Sequence, residues 1–161
     1  MSYEGDSGEV SAIYRPMASV PPLVGADGSM IFVAPGSVTD GHFGLFRRDM
    51  KARAGGPDPH FHRTFSESFY ILEGTVALYG GEGWLEATEG DFLYVPQGGV
   101  HAFSNRSDEP ASMLILFSPG IPRERFFEAT AEIRQSGRKL TAEEWTKLYA
   151  EHDQYMVDPA D

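Results

Sequence analysis

The chain has no cysteine among its 161 residues. That excludes a disulfide framework and any thiolate metal site, and it fits a reducing cytoplasm. No apolar run approaches the roughly 18 residues of a helical membrane span, so no membrane partner is expected. The N-terminus is acidic and has no apolar h-region, so no signal peptide is expected and the protein reads as cytoplasmic. Positive charge is also scarce. Lys and Arg number 13 against 24 Asp and Glu, a formal net charge of -11. An acidic chain repels phosphate backbones, which excludes nucleic acid as an expected partner. Part of the acid excess lies at the ends, in "MSYEGDSGE" and "AEEWTKLYAEHDQYMVDPAD", where it serves solvation rather than a site.

Aromatic residues are plentiful: 11 Phe, 7 Tyr and 2 Trp in a chain that is 41% apolar. That is enough for one core in one domain. Three stretches differ in texture. Residues 1–28 are rich in Gly, Ser, Pro and Asp and read as an extended arm. Residues 29–118 alternate short aromatic and β-branched runs with Gly, Pro, Asn and Asp, the pattern of an all-β barrel or sandwich. Residues 119–161 form a helical extension of the same domain. There, 122–137 opens on Pro122 and stops at Gly137, and 141–152 opens on a Thr141/Glu144 capping box. Trp145, Leu148 and Tyr149 make one stripe, expected to pack against the barrel.

The chemistry is concentrated in two stretches. In "HFHRTFSESFYILEG" (60–74), His60 and His62 lie on one face of a strand, about 6.6–6.8 Å apart along the chain. Glu67 stands an odd number of residues later, so "RTFS" must be a turn, with Glu67 opening the next strand. From Glu67 the same face carries Phe69 and Ile71. In "GDFLYVPQGGVHAFSN" (90–105), a strand runs into Pro96, turns through Gly98 and Gly99 and emerges with His101. Three imidazoles and a carboxylate suit a first-row divalent ion: Fe, Mn, Co, Ni, Cu or Zn. Alternation adds Phe103, Met113, Ile115 and Phe117 to Phe69 and Ile71 as the walls of a substrate pocket, with Phe32 and Phe46 as further candidates. Such walls suit a small hydrophobic or aromatic ligand. His42 and His152 read as surface residues, and Arg47 as part of a solvated strand face. Asn105 reads as a turn residue, and Gly74, Gly90 and Gly98 as positions of special backbone geometry.

At these residues the sequence resembles the cupin superfamily. His60, His62, Glu67 and Gly74 match its first motif, with four residues between His62 and Glu67 and six between Glu67 and Gly74. Gly90, Pro96, Gly98, His101 and Asn105 match every element of the second. One departure is the opening glycine of the first motif, since Gly55 leaves only four residues before His60. The resemblance implies a double-stranded β-helix, a jelly-roll-like barrel holding a metal on His60, His62, Glu67 and His101, and commonly a homodimer. The C-terminal pattern is similar to small single-domain bacterial cupins described as quercetin-dioxygenase-like.

Three functions follow as expectations. One is a metal-dependent dioxygenase acting on a small hydrophobic or aromatic molecule, with Glu67 alternating between ligand and catalytic base. Another is a metal-dependent isomerase or cyclase of polyketide type, in which the metal polarises a carbonyl. The third is a non-catalytic small-molecule binding protein.

Overall fold

Two long strands carry the core. In Ser66–Glu73 (β5) and Ala111–Ser118 (β10), Glu67, Phe69, Ile71, Met113, Ile115 and Phe117 fall at every second position and are buried, whereas Tyr70, Leu72, Leu114 and Leu116 between them are more exposed. They pair antiparallel, with Met113 opposite Ile71, Ile115 opposite Phe69 and Phe117 opposite Glu67. This register places the carboxylate of Glu67 on the same inner face as five apolar side chains.

Residues 2–158 are described in this computed structural model. Met1 and 159–161, the outermost residues of the expected arm and extension, lie outside that range. Around the central pair, the larger sheet adds Leu23–Gly25 (β1), Gly28–Ala34 (β2), Gly44–Met50 (β3) and Phe92–Val95 (β8). The strand order is β1-β2-β3-β10-β5-β8. Thr75–Tyr79 (β6), Trp84–Thr88 (β7) and Ala102–Ser104 (β9) form a second sheet in the order β7-β6-β9. A two-residue strand, His60–Phe61 (β4), pairs with Tyr155–Met156 (β11). An isolated bridge joins His60 to His101. The result is an all-β jelly roll with two C-terminal helices, Glu124–Ser136 (α1) and Ala142–Glu151 (α2).

Within the first 28 residues, β1 lies along the edge of the larger sheet and pairs with β2. The alternation in β3 buries Gly44, Phe46 and Met50. Arg47 is on the opposite face, paired with Asp49 at 2.9 Å, as a solvated strand face requires. Arg48 shares the face of Phe46 and sits opposite Met113 and Met30. Burial pushes its guanidinium pKa down, against the pull of Asp27.

The helix signals in the sequence are local, and they act as expected. Gly137 ends α1 in the left-handed conformation. Both halves of the Thr141/Glu144 capping box are formed at α2. The stripe on α2 packs differently from the expectation. None of its residues is fully buried; Trp145 stacks on Tyr149, and Tyr149 meets Phe126 of α1. It is α1 that reaches the barrel, with Phe127 against Phe32, Phe46 and Phe117.

Gly74, Gly90 and Gly98 all take positive φ, at 74°, 89° and 80°. Asn105, 1% exposed, donates to the carbonyls of Lys51 and Glu109 and accepts from Ser107. It ties its own 105–110 loop to the segment after β3, a structural use of all its side-chain polar atoms. The close-approach glycine before the histidines is Gly56 rather than Gly55. A Cβ at Gly56 would lie 1.8 Å from the carbonyl oxygen of Phe103, whereas one at Gly55 would meet nothing. Gly56→Ala is therefore expected to push the 55–59 turn off β9 and cost about 1–3 kcal/mol. Gly55→Ala should be near neutral. Paired denaturant titrations check this, and equal midpoints for the two variants would contradict it.

Candidate metal centre

The four candidate ligands come from four places on the barrel wall. His60 is in β4, His62 just beyond it, Glu67 in β5 and His101 at the bridge before β9. The bridge holds His60 and His101 side by side, with ring centroids 4.4 Å apart. Their backbones bond reciprocally, at 3.1 and 2.9 Å. The bend at Arg63 and Thr64 turns the chain so that Glu67 faces inward, as its odd spacing requires. One ligand atom from each residue lies within 4.8 Å of all the others. All four residues are buried, none more than 4% exposed.

Each histidine is oriented by a backbone carbonyl. His60 Nδ1 donates to the Asp58 carbonyl at 2.8 Å and His101 Nδ1 to that of Gly99 at 3.0 Å. His62 Nδ1 donates to the carbonyl of Asp153 at 2.6 Å. With Nδ1 occupied as a donor, Nε2 is the nitrogen left to bind a cation or a proton. In His62 and His101 it lies 3.0 and 2.9 Å from the same oxygen of Glu67. The donor set is thus three imidazole nitrogens and one carboxylate oxygen, fixed before any ion arrives. It fits a first-row divalent cation.

The electrostatics agree with this. Burial alone would raise the Glu67 pKa, but His101 and His62 hold it well below the usual carboxylate range. Burial also disfavours a charged His101, yet the charge and hydrogen bond of Glu67 outweigh it and move that imidazole upward. His60 has no such partner in contact. Burial, reinforced by His101, pushes it down to about 3, so it is a neutral donor across the physiological range.

These shifts set an acid limit for the metal-free protein. Between about 6.5 and 3 the unfolded chain protonates His60 and the folded one does not, so stability falls as pH drops through that window. Glu67, with its depressed folded pKa, adds a loss in the same direction below the ordinary carboxylate value. His101 opposes them: its contribution is complete below the ordinary imidazole value and disappears as pH rises through its raised folded pKa. With chelator present, the thermal midpoint is expected to fall steadily from pH 6.5 to 4, and His60→Gln should flatten that decline. A native midpoint constant over this range, measured by scanning calorimetry, would contradict the assignment.

The aromatic surroundings were only partly foreseen. Phe69, Ile71, Phe103, Met113, Ile115 and Phe117 are all buried in the hydrophobic core. Phe69 is beside the ligands, 5.9 Å from the His101 ring, and Phe103 packs on Phe69 at 5.7 Å. Phe117 neighbours Glu67 through the strand register. Phe65 was missed. It stacks on the His62 ring at 4.2 Å and meets Phe117 edge-on. It lies in the turn "RTFS", where alternation gives no facing. His42 is exposed, as expected of a surface residue. His152 is half-buried against Phe126, 5.5 Å between rings, because α2 folds back over α1. Arg123 and Asp153 also went unread. Arg123 is 4% exposed, and burial pushes its pKa down to about 10.

A jelly-roll barrel with a buried three-histidine, one-carboxylate cluster defines a class: β-barrel proteins with a site suited to a metal ion. The comparisons give the family. Residues 46–117 match the family model described as "Cupin domain". That segment carries both histidine-bearing stretches and is assigned to the cupin superfamily, with one cupin barrel among the described residues. An uncharacterized protein of Aquifex aeolicus (strain VF5) is 36% identical over 61 residues, covering 38% of this chain and 50% of that protein. This chain therefore spans about half the length of that curated relative. Among solved structures, a cupin-superfamily sugar phosphate isomerase from Silicibacter pomeroyi DSS-3 superposes with TM-score 0.58 and 22% identity, over 66% of this chain and 75% of that one. The polyketide cyclase RemF from Streptomyces resistomycificus gives 0.57 and 16%, over 67% and 80%. At these identities the likeness shows the fold alone.

Proposed function

We propose that this protein is a metal-dependent enzyme acting on a small hydrophobic or aromatic molecule, with dioxygenation as the leading reaction. The observation that carries this reading is the pre-oriented donor set of His60, His62, Glu67 and His101, walled by Phe65, Phe69 and Phe117. Bound there, a redox-active first-row ion would supply oxygen activation and a coordination position for a substrate oxygen. The chain's own part is to hold the ligands, exclude water and accept a proton at Glu67. Aromatic rings favour a flat, apolar substrate over a phosphorylated sugar. Among the described residues the buried cation near the candidate ligands is Arg123, which already donates to His152 and Gln154. Phe69, Ile71, Phe103, Met113, Ile115 and Phe117 are the proposed pocket walls.

A second reading is metal-assisted isomerisation or cyclisation without oxygen. The contact of Glu67 with both His62 and His101 favours it, because a carboxylate shared by two imidazoles is placed to shuttle a proton. Oxygen-uptake assays on iron-, manganese-, nickel- or copper-loaded protein with phenolic and enolic substrates test the first reading. Turnover that persists without oxygen, or with zinc, would overturn it in favour of the second. A bound ligand with no turnover would leave a binding protein. A cytoplasmic location and a homodimer belong to the same proposal. The exposed aromatics of the β8 edge, Phe92 and Tyr94, support the dimer, and light scattering tests it.

A further inference from the structure

We propose that Asp153 and Arg123 are positioning residues for His62, and that the 152–157 segment completes the metal centre from outside the barrel motifs. This rests on the metal reading above. Each of the other two histidines takes its carbonyl partner from two residues earlier in its own strand approach, at Asp58 and Gly99. Those supports form with the local turn. The partner of His62 is 91 residues away, on the far side of both helices. His62 also lies just beyond the β4 ladder, which ends at Phe61. Its ring direction therefore depends on how the C-terminal segment docks.

That docking is dense. The Asp153 carboxylate accepts from the amides of Arg63 and Thr64, the nearer bond 2.8 Å, and from the Thr64 hydroxyl at 2.7 Å. The Asp153 backbone is left-handed, φ 54°, which aims its carbonyl at the histidine while its side chain caps the bend. β11 then pairs with β4, and the Val157 amide donates to the Pro59 carbonyl at 2.9 Å. The Arg63 guanidinium lies 3.9 Å over the Tyr155 ring.

Arg123 clamps the residues on either side of Asp153. Its Nη1 donates to the His152 carbonyl at 3.1 Å and its Nη2 to Gln154 Oε1 at 2.5 Å. The guanidinium sits 4.0 Å over Phe126, and its Nε has no hydrogen-bond partner. A buried cation is weak support for stability, and an apolar side chain of similar volume often serves as well. What an apolar side chain cannot do there is fix the two carbonyl groups flanking Asp153. Stability and metal-site geometry are thereby separable at this position.

The test is chelator competition for cobalt(II) by the full chain, native beside Arg123→Met, Asp153→Ala and Asp153→Asn. Arg123→Met and Asp153→Ala are expected to weaken cobalt binding by about ten- to a hundredfold and to alter its visible spectrum. Asp153→Asn should stay near native, because asparagine tolerates positive φ and its Oδ1 accepts from the same donors. A purely structural role would lower the melting temperature and leave the affinity and spectrum of the folded fraction unchanged. That outcome in both variants would overturn the proposal. Hydrogen exchange on the native protein gives a second test that needs no variant to fold. Cobalt should slow exchange in 152–157, and no change there would equally count against it. A native protein that binds no cobalt removes the metal reading itself, which separates that failure from this one.

Discussion

A His60→Ala, His62→Ala double substitution is expected to empty the metal centre, taking the protein from near one ion per chain to background by elemental analysis. Both rings are buried and converge with Glu67 and His101 within 4.8 Å. Removing them leaves two donors and an apolar void in place of two imidazoles. Four-ligand protein sites bind zinc with about 10–16 kcal/mol, so each donor accounts for roughly 3–4 kcal/mol. Losing two should cost roughly four orders of magnitude in affinity or more. The ion found in the native protein then discriminates between reactions. Iron, manganese, nickel or copper favours the oxygenase reading, and zinc the Lewis-acid one. Equal metal in native and mutant protein would show that the ion sits elsewhere and that these histidines do not hold it.

Phe117→Ala is expected to be the most destabilising single change in the barrel, at about 3–5 kcal/mol. Phe117 is fully buried and meets the rings of Phe46 at 5.3 Å, Phe65 at 5.7 Å and Phe127 at 6.5 Å. It joins the large sheet, the turn that carries the metal ligands, and α1. The surrounding backbone is fixed by β3 on one side and β5 on the other, so the cavity cannot collapse easily. For a chain of this length the loss corresponds to a fall in Tm of roughly 6–20 °C. Tyr14→Ala is the control. Its side chain is 87% exposed, outside every strand and helix, and its removal should stay within about 0.5 kcal/mol. Calorimetry on the two variants checks the contrast, and similar midpoints would contradict the core assignment.

Much of the barrel and all four candidate ligands were legible in the chain because their signals are short-range. His60 and His62 share a face by the period of a strand, and the odd offset to Glu67 forced a turn. Gly137 and the Thr141/Glu144 pair state where the helices stop and start. What escaped reading depends on tertiary docking. Phe65 lies in a turn with no period to assign it a face. Arg123, in "PRER", has the sequence appearance of a solvated helix start. Its burial is decided by the 152–154 segment and by the rings of Phe65, Phe117, Phe126 and Phe127 closing around it. Asp153 supports His62 through a carbonyl, an atom that every residue carries and no side chain announces. Arg48 is a different case. Alternation from Phe46 points to it directly, and its charge disguises a position on the inner face.

The pairing of β11 with β4 sets an order of events in the cell. A nascent chain that has emerged as far as residue 105 already displays all four candidate ligands. The strand that closes over His60, and the carbonyl that receives His62, are translated more than 45 residues later. At elongation rates of about 5–20 residues per second, that is an interval of seconds in which the candidate ligands lack this support. The finished site therefore waits on the 152–157 segment, whatever the state of the chain beyond it. An ion captured during synthesis meets looser ligands than one captured afterwards. The metal found in cells then depends on when loading occurs as well as on which ions are abundant.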